Sequence, residues 1–269
     1  MNYYGIRPTR LYGAGGGAIT TSTTVPTVLI KPPGAQGISL YIVTNPMLVQ
    51  FCPAITAVYK TMDSGATFTD LTSALIDADP NTGASLNALS TLVAGDALFV
   101  GIDKDASGLT TSYIGARGLY VDITTANSEA ATVAAAFNII AAPSVVQAEA
   151  GGSWTGFTET DNTLSAGATL ATTARTITWS NDPTTWINGA INGHTAYWVR
   201  LAFSATLSAT VTLSGMAALS RYWTQNSITM AAQIAASTKY ELMFDARKVG
   251  AIELLAVTGA GTAYVNWLI

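Results

Sequence analysis

The chain is short of charge. Only 10% of its 269 residues are Asp, Glu, Lys or Arg, against about 25% in an ordinary soluble domain. Its surface must therefore be wetted by Thr, Ser and Asn, a coat that repels neighbours weakly and suits a chain packed against copies or partners. The twelve basic residues are scattered, Arg247-Lys248 being the one adjacent pair, and the net charge is −4. A phosphate backbone demands clustered Lys and Arg, so no nucleic acid is expected as a partner.

Cysteine and histidine are scarcer still, at one each. With Cys52 alone no intrachain disulfide can form, and without a basic cluster or a histidine nearby in sequence it reads as a small core hydrophobe. His194 is the only candidate base for a Ser or Cys nucleophile. It follows Asn188-Gly189 and Ile191-Asn192-Gly193, a setting that predicts an exposed turn ahead of a strand, and no Gly-x-Ser-x-Gly elbow accompanies it. One His and one Cys cannot build a zinc site.

Carboxylates give no better centre. Asp77-Ala78-Asp79 and Asp103-Lys104-Asp105 have calcium-like spacing but no glutamate at the required distance, and turn capping explains them. Glu159, Asp161 and Asp182 lie near tryptophans, as a glycoside hydrolase would need, yet nothing in their spacing lifts them above background. Gly13-Ala14-Gly15-Gly16-Gly17 lacks the strand before and the helix after that a phosphate loop requires. The expectation is a chain with no catalytic, cofactor-binding or metal-binding residue: not an enzyme, and no cofactor. No run of about 20 apolar residues is present, and the opening Met-Asn-Tyr-Tyr-Gly-Ile-Arg-Pro has no apolar h-region. Neither a membrane partner nor a targeting segment is expected.

What the chain does have is strand texture. Candidate strands cover 39–44, 57–61, 97–101, 118–123, 131–140, a hairpin in 169–179, 196–203 and 206–213, with turn signals between them at Asp63-Ser64-Gly65, Asp79-Pro80-Asn81 and Asn181-Asp182-Pro183. Residues 72–78 and 84–92 suit short helical turns. Further strands are expected at 227–235, 240–244, 251–257 and 263–269. Many short strands at such spacing predict an all-β antiparallel sandwich, jelly-roll-like. The densest signal lies between Trp179 and Leu213, which holds three of the six tryptophans and the histidine. Tryptophans of that density mark a core.

Three segments are expected: an extended N-terminal arm at 1–37, a β-sandwich at 38–218 and a β-rich C-terminal extension at 219–269. The arm is glycine-rich at 13–17 and stiff at Lys31-Pro32-Pro33-Gly34, and is expected to lie on a neighbouring subunit or on its own sheet edge. The apolar end, Ala263 to Ile269, is an aggregation hazard unless paired. It should close its own sheet or dock into a neighbour.

Thr61-Met62-Asp63-Ser64-Gly65-Ala66-Thr67-Phe68 resembles the Asp-box of sialidase-like propellers, but occurs once, where a propeller needs repeats. It reads as a hairpin with Tyr59 and Phe68 on flanking strands. The order Val58-Tyr59-Lys60-Thr61 with Thr67 to Thr72, Gly95-Asp96-Ala97-Leu98-Phe99-Val100-Gly101, Gly151-Gly152-Ser153-Trp154, Thr160-Asp161-Asn162-Thr163, Gly167-Ala168-Thr169-Leu170, Ile177-Thr178-Trp179, Trp186 and Tyr197-Trp198-Val199-Arg200-Leu201 is similar to β-sandwich modules of tailed-bacteriophage virion proteins over about 58–215. Such modules often carry Tyr-Trp-x-Gly near the middle, where this chain has Ala-Phe-Asn-Ile-Ile at 136–140.

That resemblance implies a structural virion protein, and within that class a capsid decoration (cement) protein on the outer capsid surface, made in the host bacterial cytoplasm. Its implied partners are the major capsid protein and copies of itself in a homotrimer, with 1–37 and 263–269 as the contact segments. The alternatives are a tail, baseplate or fibre protein, and a carbohydrate-binding module. Buried rings at Trp154, Trp179, Trp186 and Trp198 would favour a scaffold; a coplanar exposed row would favour sugar binding.

Overall fold

The computed structural model describes residues 8–12, 19–22, 27–45, 47–87, 89, 96–103, 116–145, 153–173, 175–179, 186–220, 228–229, 239–244, 246–257 and 259–268. The chain opens with β1 (Pro8–Tyr12), β2 (Ile19–Thr21), β3 (Thr27–Ile30), β4 (Gly37–Thr44) and β5 (Met47–Pro53). Then come β6 (Ile55–Met62), β7 (Thr67–Asp70), the short helix α1 (Thr72–Ile76), β8 (Ala84–Ser85), β9 (Ala97–Ile102) and β10 (Ala116–Thr125). The middle continues with β11 (Val133–Asn138), β12 (Trp154–Gly156), β13 (Glu159–Asp161), β14 (Arg175–Trp179), β15 (Gly189–Ile191), β16 (His194–Phe203) and β17 (Thr212–Ser220). Last are β18 (Ile228–Thr229), β19 (Lys239–Met243), β20 (Val249–Ala256) and β21 (Gly261–Leu268). The fold is all-β, and every named strand pairing is antiparallel.

These strands form four sheets. Sheet A runs β1-β21-β4-β19, with β2 also on β21, and sheet B runs β18-β5-β20-β3. Sheet C runs β12-β11-β16-β9-β6-β7, with β15 on β16, and sheet D runs β13-β14-β10-β17-β8. Period-two alternation assigns each strand's residues to one layer or the other. Leu40 and Ile42 of β4, Val49 and Phe51 of β5, Ile252 and Leu254 of β20 and Val265 and Trp267 of β21 form the core between A and B. Val100, Leu119, Val121, Val133, Val199 and Leu201 belong to the larger core between C and D.

The two sandwiches then stack. Val28, Ile30, Cys52 and Ala251 of sheet B meet Ala217 and Leu219 of sheet D in a third apolar layer. Strands buried on both faces should be almost continuously apolar, and β9, with all six residues buried, is.

The segment boundaries differ from those expected at 37/38 and 218/219. Strands β3, β4 and β5 share sheets with β19, β20 and β21, so both ends of the chain build one sandwich and 55–220 the other. Long-range pairing decides this: Ile38 lies opposite Trp267 and Phe51 opposite Ile252. The described parts of the 1–37 segment are paired strands of the chain's own sheets, β1 and β2 on β21 and β3 on β20. The C-terminal run closes its own sheet, between β1 and β4, with Trp267 fully buried.

Locally, the expected hairpin forms, with Tyr59 and Phe68 on its flanking strands; Thr61 lies opposite Phe68, and the Tyr59 and Phe68 rings meet edge to face at 6.0 Å. Asp63, Ser64 and Gly65 all have positive φ (56°, 61° and 77°), a conformation that favours Gly and is tolerated by Asp. Residues 72–76 are helical. The 169–179 hairpin is not formed: 169–173 is turn and bend, and β14 pairs with β13 and β10 instead. The strand expected at 206–213 begins only at Thr212.

Candidate functional site

Four of the tryptophans pack against the two faces of sheet C. Trp179 and Trp186 belong to the C–D core, whereas Trp154 and Trp198 lie on the opposite face with Tyr59, Phe99 and Ile191. All four rings are at most 5% exposed. Each indole N–H donates to a backbone carbonyl: Trp154 to Ser144 (2.8 Å), Trp179 to Ala116 (2.7 Å), Trp186 to Trp198 (3.2 Å) and Trp198 to Gly189 (2.8 Å). These bonds satisfy the one polar group each ring buries. The rings are core, and none of the four belongs to an exposed aromatic row.

Asn138 organises the far face of sheet C. Fully buried, it donates through Nδ2 to Ile187 O (2.8 Å) and Ile140 O (3.2 Å), while Oδ1 accepts from Trp198 N (2.9 Å). Three segments are thereby tied over one face. Gly189 must be glycine, because a Cβ there would sit 2.6 Å from Asn138 Nδ2. Asn138 falls within the Ala-Phe-Asn-Ile-Ile segment, where its neighbours in sequence carry no sign of this bonding.

His194 is not an exposed turn residue. It opens β16, half-buried, with Nε2 3.0 Å from Thr56 Oγ1 and its ring edge-on to Trp198 at 6.0 Å. Thr56 Oγ1 in turn donates to Gly101 O at 3.3 Å. The hydroxyl proton is thus committed to a carbonyl, and the pair joins two strands.

The candidate carboxylates turn inward on the backbone. Asp77 accepts from Asp79 N and Thr82 Oγ1, and Asp79 from Asn81 N. Asp161 accepts from Thr163 N (2.8 Å), Thr163 Oγ1 (2.6 Å) and Thr169 Oγ1 (2.6 Å), which pins the turn after β13. Glu159 lies on the same short strand, opposite Trp179; Asp105 and Asp182 lie outside the described residues. No group of three or more His, Cys, Asp or Glu side chains able to hold a metal occurs among the described residues. No described helix is long and apolar enough to cross a membrane.

The place where polar chemistry is concentrated lies between the sandwiches. Glu253 of β20 is completely buried there, and its Oε1 accepts from Arg117 Nη2 of β10 at 2.9 Å. Burial raises the carboxyl to about 7, although the charge and hydrogen bond of Arg117 pull the other way. Directly opposite Glu253 in sheet B stands Gln50, also fully buried. Neither its amide atoms nor Glu253 Oε2 has a hydrogen-bond partner. Leaving such groups unsatisfied costs about 1–3 kcal/mol apiece.

Beside this layer a cleft of about 370 Å³ opens between the sandwiches, walled by Ile55, Thr56, Met216, Ala217, Val249 and Lys31, among others. Lys31 is half-buried, and desolvation holds its ammonium below the usual lysine range. A second apolar surface lies at the end of the stack. The outer face of sheet A exposes Tyr41, Val43, Met243 and Tyr264, with the Tyr41 and Tyr264 rings 6.3 Å apart. No protein-family model, curated protein or solved structure matches this chain.

Proposed function

We propose that this chain is a structural virion protein of a tailed bacteriophage, acting as a capsid decoration (cement) protein rather than as an enzyme. The observation that supports a scaffold is the placement of the aromatic rings. Five tryptophans, Trp154, Trp179, Trp186, Trp198 and Trp267, are buried and hold layers together. The candidate acids Asp77, Asp79 and Asp161 likewise bond their own turns. The sugar-binding alternative needs rings in the open, which these positions do not offer.

In this reading each subunit binds the outer lattice where capsomers meet, as one of three copies around a local threefold. A ligand that binds only the closed lattice stabilises it by mass action. The contact surface we assign is the outer face of sheet A, where Tyr41, Val43, Met243 and Tyr264 form an exposed apolar group beside Thr44, Glu241 and Thr262. The major capsid protein is its occupant. Edge strands β1 and β19 flank it and can accept an added strand.

The test is attachment. Purified chain is added to particles stripped of it, and occupancy and resistance to heat are measured. Tyr41→Glu combined with Tyr264→Glu should abolish attachment while far-UV circular dichroism stays unchanged. Undiminished occupancy of the double variant would remove this face from the proposal. Failure of the unaltered chain to bind any capsid would remove the cement role.

A further inference from the structure

The junction between the sandwiches contains a chemical imbalance. Glu253 Oε2 and Gln50 Oε1 are both hydrogen-bond acceptors, both fully buried, and neither receives a donor. Gln50 and Glu253 are directly opposed in antiparallel register. They share one face, as their alternation with Val49, Phe51, Ile252 and Leu254 of the A–B core shows. Directly opposed residues have Cβ atoms about 4.5–5.5 Å apart, within reach of two such side chains. Gln50 Nε2, also without a partner, is a donor that can satisfy only one of these two acceptors, and the other gains a donor only if the carboxyl carries a proton. A protonated carboxyl could donate to the Gln50 carbonyl oxygen and satisfy both atoms at once.

We propose that the junction is a proton-operated latch centred on Glu253, with Gln50 as the partner of its protonated form and Arg117 as the partner of its ionised form. With the proton on, the carboxyl is neutral and bonded within its own sheet, and the two sandwiches close over it without enclosing a net buried charge. Arg117, 22% exposed, then keeps access to water. With the proton off, a carboxylate is enclosed with a single ion-pair partner, and separating the layers lets water reach it. The closed junction therefore binds one more proton than the opened one, so falling pH tightens it and rising pH loosens it.

Among the described residues, the groups facing Glu253 are few. Strands β2, β3 and β17 carry no titratable side chain. From β5 come Gln50 and, two residues on, Cys52; from β10 come Arg117, Tyr120 and Asp122. Asp122 accepts a hydrogen bond from Thr173 Oγ1. Glu253 carries a raised carboxyl, at about 7, caused first by burial, which puts the transition near neutrality.

Cys52 supplies a reporter in the native chain. It is the single cysteine, 1% exposed, and packed in the same interlayer as Ala217 and Leu219. The full chain is labelled with an uncharged aromatic disulfide from pH 5 to 8.5, and rates are divided by those of a free cysteine to remove the thiolate dependence. The latch predicts a corrected rate that climbs by up to about tenfold per pH unit below neutrality and levels off above about 7. In Glu253→Gln, which fixes the neutral form, the rate should stay slow and flat. Arg117→Gln, which removes the cation that favours ionisation, should move the midpoint to higher pH. Parallel profiles in the unaltered chain and Glu253→Gln would overturn the latch. Should Glu253→Gln fail to fold, an unmoved midpoint in Arg117→Gln would overturn it equally.

Discussion

Trp198 ties several parts of the fold together. It is fully buried, stacks on Tyr59 at 5.6 Å, meets His194 edge-on and donates to Gly189 O. Gly101 lies beneath it, where a Cβ would come within 3.1 Å of the indole. Trp198→Ala should cost about 3–5 kcal/mol in urea unfolding, the range for large aromatic truncations. His194→Ala should cost about 1 kcal/mol, one hydrogen bond's worth. Equal losses would mean that the histidine does more than brace the tryptophan.

Glu253 makes a second prediction at this scale. Its folded carboxyl is raised from 4.5 to about 7 by burial. The stability it contributes is therefore fully present below pH 4.5 and lost as pH rises through about 7. The difference in unfolding free energy between the unaltered chain and Glu253→Gln should move by roughly 3 kcal/mol over that window, since each tenfold change in proton affinity is worth about 1.4 kcal/mol. A difference independent of pH would contradict the assignment. Little of this was legible in the sequence. Gln50 and Glu253 are two unremarkable polar residues 203 positions apart, and only the pairing of β5 with β20 makes them neighbours.

Among the elements, the hairpin of β6 and β7 was legible because its turn is chemically local. Asp63, Ser64 and Gly65 take positive φ, and Asp63 Oδ2 accepts from Thr67 Oγ1. Asp96, buried ahead of β9, accepts from Ser64 N at 2.9 Å, so the Gly-Asp strand and the hairpin are physically joined. Gly65→Ala should cost about 1–2 kcal/mol, the penalty for a side chain in the left-handed region, measured as a shift of the denaturant midpoint.

Strand β21 was legible only in part. Its apolar pattern announces burial, yet whether it pairs at home or abroad depends on β4, more than 200 residues away. Removing residues 261–269 strips sheet A of an interior strand and Trp267, and should unfold the first sandwich. Removing 1–12 takes only β1 from the sheet edge and should leave the fold intact. Deleting all of 1–37 also removes Leu29 from the A–B core and Val28 and Ile30 from the inter-sandwich layer. The arm is therefore not a dispensable appendage.

At the scale of the molecule, the chain is a stack of four sheets in which nearly every large apolar side chain described is consumed by one of the layers. Fold class was legible from alternation and turn spacing, whereas the division into two sandwiches was not. It depends on the chain's ends meeting, a long-range event that no local pattern encodes. The cement role is most directly tested by imaging the virion at a resolution that distinguishes the four layers. A decoration protein of this build should give density for the stack on the outer shell, three copies around local threefolds, with sheet A toward the major capsid protein. Density confined to the tail, or a particle without the chain, would contradict it.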